Sequence, residues 1–355
     1  MPRKSLAQGF EIAGRPVGGD APCYVIAEAG ANHNRDLGIA RELIDVAARA
    51  GADAVKFQVY SGRSLYSTKT PQFKYLEDIG SDKPVHELLE DIALPREWLG
   101  GLVEHARSRG IEFFATPFDA AAVRELVEVG VPALKIASFE IVDLELLAAT
   151  GATNLPLIVS CGMAIYGEID DALDAIAGAG GSQVALLQCA SLYPAPPEIM
   201  NLQAMSTMRS AFGVPVGLSD HTTGISVPLG ARGLGMQLLE KHFTLDRSMT
   251  GPDHPFAIEP GELEELVGGI RAIEQALGTG RLEGPSEAEA QEMYALARRS
   301  LIAARDISAG TVITREDLVV KRPGFGIMPK HIDHVVGRQA RVDIEEDDII
   351  TWEMV

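Results

Sequence analysis

The sequence predicts a TIM (β/α)8 barrel followed by a small β-rich domain, on three observations. Eight short apolar runs alternate with amphipathic helical stretches from residue 23 to about residue 278. Polar and ionisable residues gather at the ends of those runs. After "EQALGTGRLEGPSEAEAQ" the pattern gives way to short strands and turn residues.

The eight runs, in order, are CYVIAEAG (23–30), AVKFQVY (54–60), IEFFATPF (111–118), ALKIAS (133–138), LPLIVSCGM (155–163), QVALLQCASLYP (183–194), VPVGLSDHT (214–222) and MQLLEKHFTLD (236–246). Between them, LGIARELIDVAARAG, PREWLGGLVEHARSRG and DAAAVRELVEVG carry the helical period, and Gly follows the last periodic residue, as a left-handed helix stop favours. A doubly wound open sheet would need a Gly-rich turn after the first strand, where "EAGANHN" stands instead.

Flanking segments complete the organisation. Residues 1–20, with "FEIAGRPVGGD", read as a hairpin that caps the barrel floor. Residues 21–280 are assigned to the barrel, with a long insertion at 61–91 of the kind that usually serves function. Residues 281–297 read as a Gly/Pro/Glu-rich linker, and 298–355 as a β-rich domain too short for a generous core, expected to lean on the barrel or on a second chain.

Composition excludes several classes. The chain has 355 residues, 46% hydrophobic and 23% charged, with a mean hydropathy of +0.08 and a net charge of −19. That field repels polyanions, so neither nucleic acid nor an anionic membrane surface is an expected partner, and an anionic substrate needs a local cluster of cations. No apolar run reaches the roughly 18 to 20 residues that span a bilayer. Cys23, Cys161 and Cys189 form no CxxC pair, which fits a reduced cytoplasm.

Chemistry in a TIM barrel belongs at the C-terminal strand ends, where side chains converge on one mouth. The first run offers Glu28, with Asn32, His33 and Asn34 in its loop, and the second Lys56 and Gln58. Thr116 closes the third, while Lys135 and Ser138 close the fourth, with Glu140 just beyond. Ser160, then Ser191 and Tyr193, then Ser219, Asp220 and His221, and finally Glu240, Lys241 and His242 complete the ring. A lone strand-end histidine is more often structural than ligating, but polar groups at nearly every end reverse that preference.

The residue types divide by task. Lysines inside strands are costly to bury unless they meet anions, and the hydroxyls around them add donors, so this is a pocket for a phosphate and a carboxylate. Two imidazoles on neighbouring strands, without thiolates beside them, suit a divalent metal with open positions: Mn2+ or Zn2+ by softness, Mg2+ less readily. Glu28 is placed to orient or deprotonate a water or hydroxyl. Glu140 read alone is equally a helix N-terminal acid, Asn32 and Asn34 are equally turn formers, and Asp220 is expected to orient His221.

Several longer stretches resemble one family. "YVIAEAGANHN", "GADAVKFQ", "FFATPFD", "LKIASFE", "SDHT", "EKHFTLDR" with "GPDH", and the tail's "VKRPGFGI" look like the sialic acid synthases, which make nine-carbon 2-keto sugar acids. The tail is similar to their antifreeze-like (SAF) domain. The resemblance implies a transferase that condenses phosphoenolpyruvate with an open-chain N-acyl hexosamine and releases phosphate. It implies that Lys56, Thr116, Lys135, Ser138, Ser160 and Ser219 hold phosphoenolpyruvate, with Ser191 a further substrate-binding residue. His221 and His242 would bind the metal, Mn2+ first with Mg2+ or Co2+ as alternatives. Glu28 and Glu140 would move protons or position water, Tyr193 and Asp253 would face the sugar, and Arg322 would reach its acyl group from the partner chain of a domain-swapped homodimer.

Within the family the features point two ways. Ser191 stands where sialic-acid-forming members have Asn, and Phe325 at a position usually polar in them, which looks closer to the pseudaminic branch; "GPDH" and "KFQ" look like the sialic and legionaminic branches. Two rivals of other classes are a Schiff-base aldolase built on Lys135 or Lys56, and a non-catalytic glycan-binding module.

Overall fold

A computed structural model describes residues 6–71 and 83–355, so residues 72–82 of the expected insertion lie outside the described residues. The chain divides into two compact units, one ending at Gly278 and the other beginning at Thr279.

The first unit is a closed parallel barrel. After the hairpin β1 (Gly9–Ile12) and β2 (Arg15–Gly18) come β3 (Tyr24–Gly30), β4 (Ala54–Val59), β5 (Glu112–Pro117) and β6 (Leu134–Ile136). They are followed by β7 (Leu157–Ser160), β8 (Val184–Cys189), β9 (Val216–Asp220) and β10 (Leu238–His242). Neighbours pair in chain order, and β10 returns to β3 to shut the sheet, setting His242 opposite Glu28. These eight strands are the eight apolar runs, and they are buried along almost their whole length because helices cover the outside and side chains fill the inside.

Local chemistry places the helices. Asp36 caps the helix Leu37–Arg49, its Oδ1 accepting from Gly38 N at 2.7 Å and Ile39 N at 3.1 Å, and the helix buries Ala40, Leu43, Ile44 and Ala47 against the sheet. The helix Leu99–Arg109 stops at Gly110, whose φ of +72° suits a residue without a side chain. Gly217 has a different reason: a Cβ there would come within 2.1 Å of Leu238 O, so β9 and β10 approach as closely as they do only with glycine at that point.

The hairpin lies against the N-terminal end of the barrel. Phe10, Ile12 and Val17 join the main core. Ala7 N donates to Ser182 O at 2.9 Å, and Gln237 Nε2 donates to Gly19 O at 3.2 Å, both just ahead of strands β8 and β10. Arg15 and Arg271 share the buried Asp53, which ties hairpin, barrel and final barrel helix together at that end.

The second unit pairs β11 (Ser300–Ala303) with β12 (Leu318–Lys321) antiparallel. It has a core of its own: Leu301, Ile307, Ile313, Leu318, Ile327, Val335, Ile344 and Ile350 are among its buried apolar residues. Segment 281–297, read as linker, belongs to this unit and carries the short helices Glu287–Gln291 and Met293–Ala297. A capping box starts the first of them: Ser286 Oγ accepts from Glu289 N at 3.3 Å while the Glu289 carboxylate accepts from Ser286 N at 2.8 Å.

Candidate active site

Along each barrel strand every second residue faces inward, and at the C-terminal end those positions carry the polar residues. Lower in the barrel the inward positions are apolar, with Tyr24 and Phe114 in ring contact at 6.4 Å. Above them lies a buried layer of charge. Lys56 Nζ is 2.9 Å from Glu28 Oε2 and donates to Thr116 Oγ1 at 2.9 Å, while Glu28 Oε1 accepts from Gln58 Nε2 at 2.8 Å. Lys135 Nζ donates to Ser160 Oγ at 2.6 Å and to Ile136 O at 2.8 Å. Glu240 stands between the lysines, 3.7 Å from Lys56 and 3.8 Å from Lys135, and accepts from Ser219 Oγ at 3.1 Å.

Ser138 and Ser191 flank this layer. Gly162 N donates to Ser138 Oγ at 3.0 Å, and a Cβ on Gly162 would fall 2.4 Å from Ser191 Oγ and 2.8 Å from Ser138 Oγ, so glycine lets the two hydroxyls close on one spot. On the other side His221 and His242 lie with ring centroids 5.4 Å apart. Tyr193 stacks obliquely on His221 at 4.3 Å, and Asp253 Oδ2 is 3.7 Å from His242 Nδ1. Glu140 sits in the short turn Ser138–Glu140 at the end of β6. Arg322 is in the second unit, exposed, directly after β12.

Burial sets the electrostatics. It pushes Glu28 upward, against the pull of Lys56, and lifts Glu140 to about 7 and Asp253 to about 6. Burial opposes the charge on Lys56, yet Glu240 and Glu28 hold its ammonium above the ordinary lysine range. Lys135 falls below that range because burial outweighs the help of Glu240. His242 is driven well below its ordinary value by burial and by the positive neighbours His221 and Lys56, so its imidazole is neutral.

Four buried polar atoms of this mouth have no hydrogen-bond partner: Glu140 Oε2, Ser191 Oγ, Glu240 Oε2 and His242 Nδ1. Buried polar atoms are normally satisfied, so such a cluster marks where ligands bind. The two imidazoles fit a divalent metal on the same ground. His221 Nδ1 donates to Ala190 O at 2.7 Å, which fixes the tautomer and frees Nε2, and His242 offers an orphaned nitrogen. Among the described residues no third His, Cys, Asp or Glu completes a protein-only metal cage, so a metal here would keep positions for water and substrate.

Asp220 is a correction. It does not orient His221; it accepts from Thr222 N at 3.1 Å and pairs with Lys241 Nζ at 2.7 Å on the outward side of the sheet. The orienting group for His221 is the Ala190 carbonyl. Asn32 and Asn34 are structural: Asn32 Nδ2 donates to Phe243 O at 2.8 Å, and Asn34 adopts a φ of +48°. Glu240 and Gln58, both on the strands, belong to the site through their contacts with Lys56, Lys135 and Glu28.

Comparison with known proteins gives the family and the fold. Residues 43–282 match the NeuB family and residues 298–355 match the SAF domain. The chain belongs to the NeuB family. It is 40% identical to N,N'-diacetyllegionaminic acid synthase of Legionella pneumophila, over 96% of this chain and 97% of that one. Pseudaminic acid synthase of Helicobacter pylori is 34% identical, with 90% of this chain and 94% of the relative covered. Among solved structures, N-acetylneuraminic acid synthetase of Leptospira borgpetersenii in complex with citrate superposes with a TM-score of 0.71 at 36% identity, over 81% of this chain and 96% of that chain. This NeuB-family chain thus shares most of its length with proteins named as synthases of legionaminic, pseudaminic and N-acetylneuraminic acids.

Proposed function

We propose that this chain is a nonulosonic acid synthase, a transferase that condenses phosphoenolpyruvate with an open-chain N-acyl hexosamine and releases phosphate. The observation that carries the reading is the pairing of two buried lysines and their hydroxyls with two imidazoles across one mouth that holds four buried polar atoms without a hydrogen-bond partner. Lys56 and Lys135 hold the anions of phosphoenolpyruvate, assisted by Thr116, Ser138, Ser160, Ser191 and Ser219. Holding two reactants in register supplies on the order of 7 to 11 kcal/mol toward the barrier.

A divalent metal on His221 and His242, Mn2+ before Mg2+ or Co2+, supplies Lewis acidity to the sugar aldehyde when bound. Tyr193 and Asp253 face the sugar. The C3 carbon of phosphoenolpyruvate attacks the aldehyde carbon, and a water adds to C2, giving its proton to Glu28. Glu140, with a carboxyl pushed to about 7, is half protonated near neutral pH and supplies the proton that the new hydroxyl needs. The C2–O bond to phosphate then breaks, phosphate leaves with both electrons of that bond, and the C2 hydroxyl passes its proton to the departing phosphate as the 2-keto group forms.

Arg322 is assigned to the acyl group of a sugar in the neighbouring chain of a swapped homodimer, since its planar guanidinium suits a carbonyl acceptor. Three buried free cysteines fit a reduced cytoplasm, and among the described residues no helix is long and apolar enough to cross a membrane. The 40% identity to the legionaminic relative puts a 2,4-diacetamido-2,4,6-trideoxyhexose first among sugars to test, beside N-acetylmannosamine. The lowered Lys135 would also serve a Schiff-base aldolase, and borohydride trapping of a pyruvate adduct separates the two. The deciding experiment is phosphate release from phosphoenolpyruvate with a panel of N-acyl hexosamines and mass spectrometry of the product; no release with any sugar overturns the reading.

A further inference from the structure

Glu240 has no task in that chemistry, yet it is the carboxylate that both lysines share. Its Oε1 accepts the Ser219 hydroxyl at 3.1 Å, and its Oε2 lies 3.7 Å from Lys56 Nζ and 3.8 Å from Lys135 Nζ. These two separations exceed a hydrogen bond but fall within strong Coulomb range for buried groups.

The lysines differ in what else holds them. Lys56 also has Glu28 at 2.9 Å. Lys135 otherwise donates to neutral acceptors, Ser160 Oγ and Ile136 O. Among the described residues Glu240 is therefore the one carboxylate within ion-pair distance of Lys135.

We propose that Glu240 is a positioning residue: it supplies the negative charge that keeps Lys135 an ammonium aimed into the mouth, and so keeps the pocket able to take an anion. The proposal rests on the reading of Lys135 as a contact to phosphoenolpyruvate. Its physical ground is that an ammonium buried among neutral acceptors sheds its proton. Burial already pulls Lys135 down, with Glu240 opposing the fall and Lys56 adding to it.

The other titratable groups that face Lys135 are Glu28, Glu140, Cys161, Cys189 and the neutral His242. None replaces Glu240. Glu28 is engaged by Lys56 and Gln58, Glu140 is half protonated at about 7, burial pushes the Cys161 thiol up to about 12, and Cys189 Sγ faces His221 Nδ1 at 3.7 Å. Removing the Glu240 charge has two opposed effects on an incoming anion: it relieves repulsion, and it lets Lys135 go neutral. The second dominates, because the lost cation was the attractive partner.

The test is Glu240→Gln in the full-length, Mn2+-loaded protein, since the amide keeps the shape and its oxygen still accepts from Ser219. Calorimetric binding of phosphoenolpyruvate across pH should show affinity lowered about tenfold or more near pH 8, with the alkaline limb moved about one unit toward neutrality. KM for phosphoenolpyruvate should rise much more than kcat falls, and Glu240→Asp, which keeps the charge, should restore part of the affinity. Unchanged or tighter binding with an unmoved limb overturns the proposal.

Should the amide variant fail to fold, Lys135 is read in the parent protein by acetic anhydride labelling across pH with mass spectrometry. A labelling midpoint above about pH 8 supports the pairing, and one at or below about pH 7 overturns it, because the amine is then neutral beside Glu240. A parent protein that binds no phosphoenolpyruvate at any pH sinks the functional reading instead, while the labelling midpoint still decides the pairing.

Discussion

His221 and His242 stand on adjacent strands with their rings edge to face, 5.4 Å between centroids, and Tyr193 covers the first at 4.3 Å. Each imidazole is buried and His242 is held neutral, so a divalent cation binding there would displace no proton from His242. Replacing His242 by alanine should lower Mn2+ affinity by at least about 100-fold in calorimetry while the melting temperature of the apoprotein stays close to the parent's. A chelated protein with undiminished turnover would remove the metal from the reaction.

Lys135→Ala should weaken phosphoenolpyruvate binding by about 30-fold or more, because truncating one member of a buried charge pair leaves the other uncompensated. Equilibrium binding of phosphoenolpyruvate measures this directly. Equal affinity in the variant would assign Lys135 another role.

Glu140 gives a stability signature. Its carboxyl titrates near 7 in the folded chain against 4.5 for the unfolded group, so the folded state binds the extra proton between those values. Stability contributed by the neutral carboxyl is thus present at low pH and lost as pH rises through that window. Glu140→Gln should be equal to the parent near pH 5 and more stable above pH 7, by at most about 3 kcal/mol and less because the side chain is partly exposed. Urea unfolding at the two pH values decides it; a variant less stable than the parent at the higher pH contradicts the burial argument.

Shared sites follow from the assignment of Arg322 to a neighbour's sugar. Co-expression of a Lys135→Ala chain with an Arg322→Ala chain should restore part of the activity that each lacks alone, since one site of the heterodimer then receives an intact barrel and an intact tail. If Arg322 serves its own chain, every site keeps one lesion and no rescue occurs.

All eight barrel strands were legible because burial on both faces makes each a short apolar run between helical periods. The site was legible in its charges and less so in its wiring. Strand parity was the unused signal: Glu240 and His242 are two apart and face inward together, as do Lys56 and Gln58, whereas Asp220 and Lys241 have the opposite parity and pair outside. Read by parity, Asp220 would not have been given to His221, and Glu240, already among the strand-end residues, would have been given a task beside the two lysines. The short helices at 287–297 escaped because Gly, Pro and Glu dominate the segment's composition, while the Ser286–Glu289 box that starts the first of them is a local, two-residue device.

The seam where β10 meets β3 sets Glu28 beside His242, one near the start of the barrel and the other in its last strand. On a ribosome the first of these emerges long before the second, and Lys56, which pairs with Glu28, emerges between them. Closure joins the most distant strands of the ring, the slowest kind of contact to make. A chain cut short before β10 would lack Glu240, His242 and the strand that shuts the barrel.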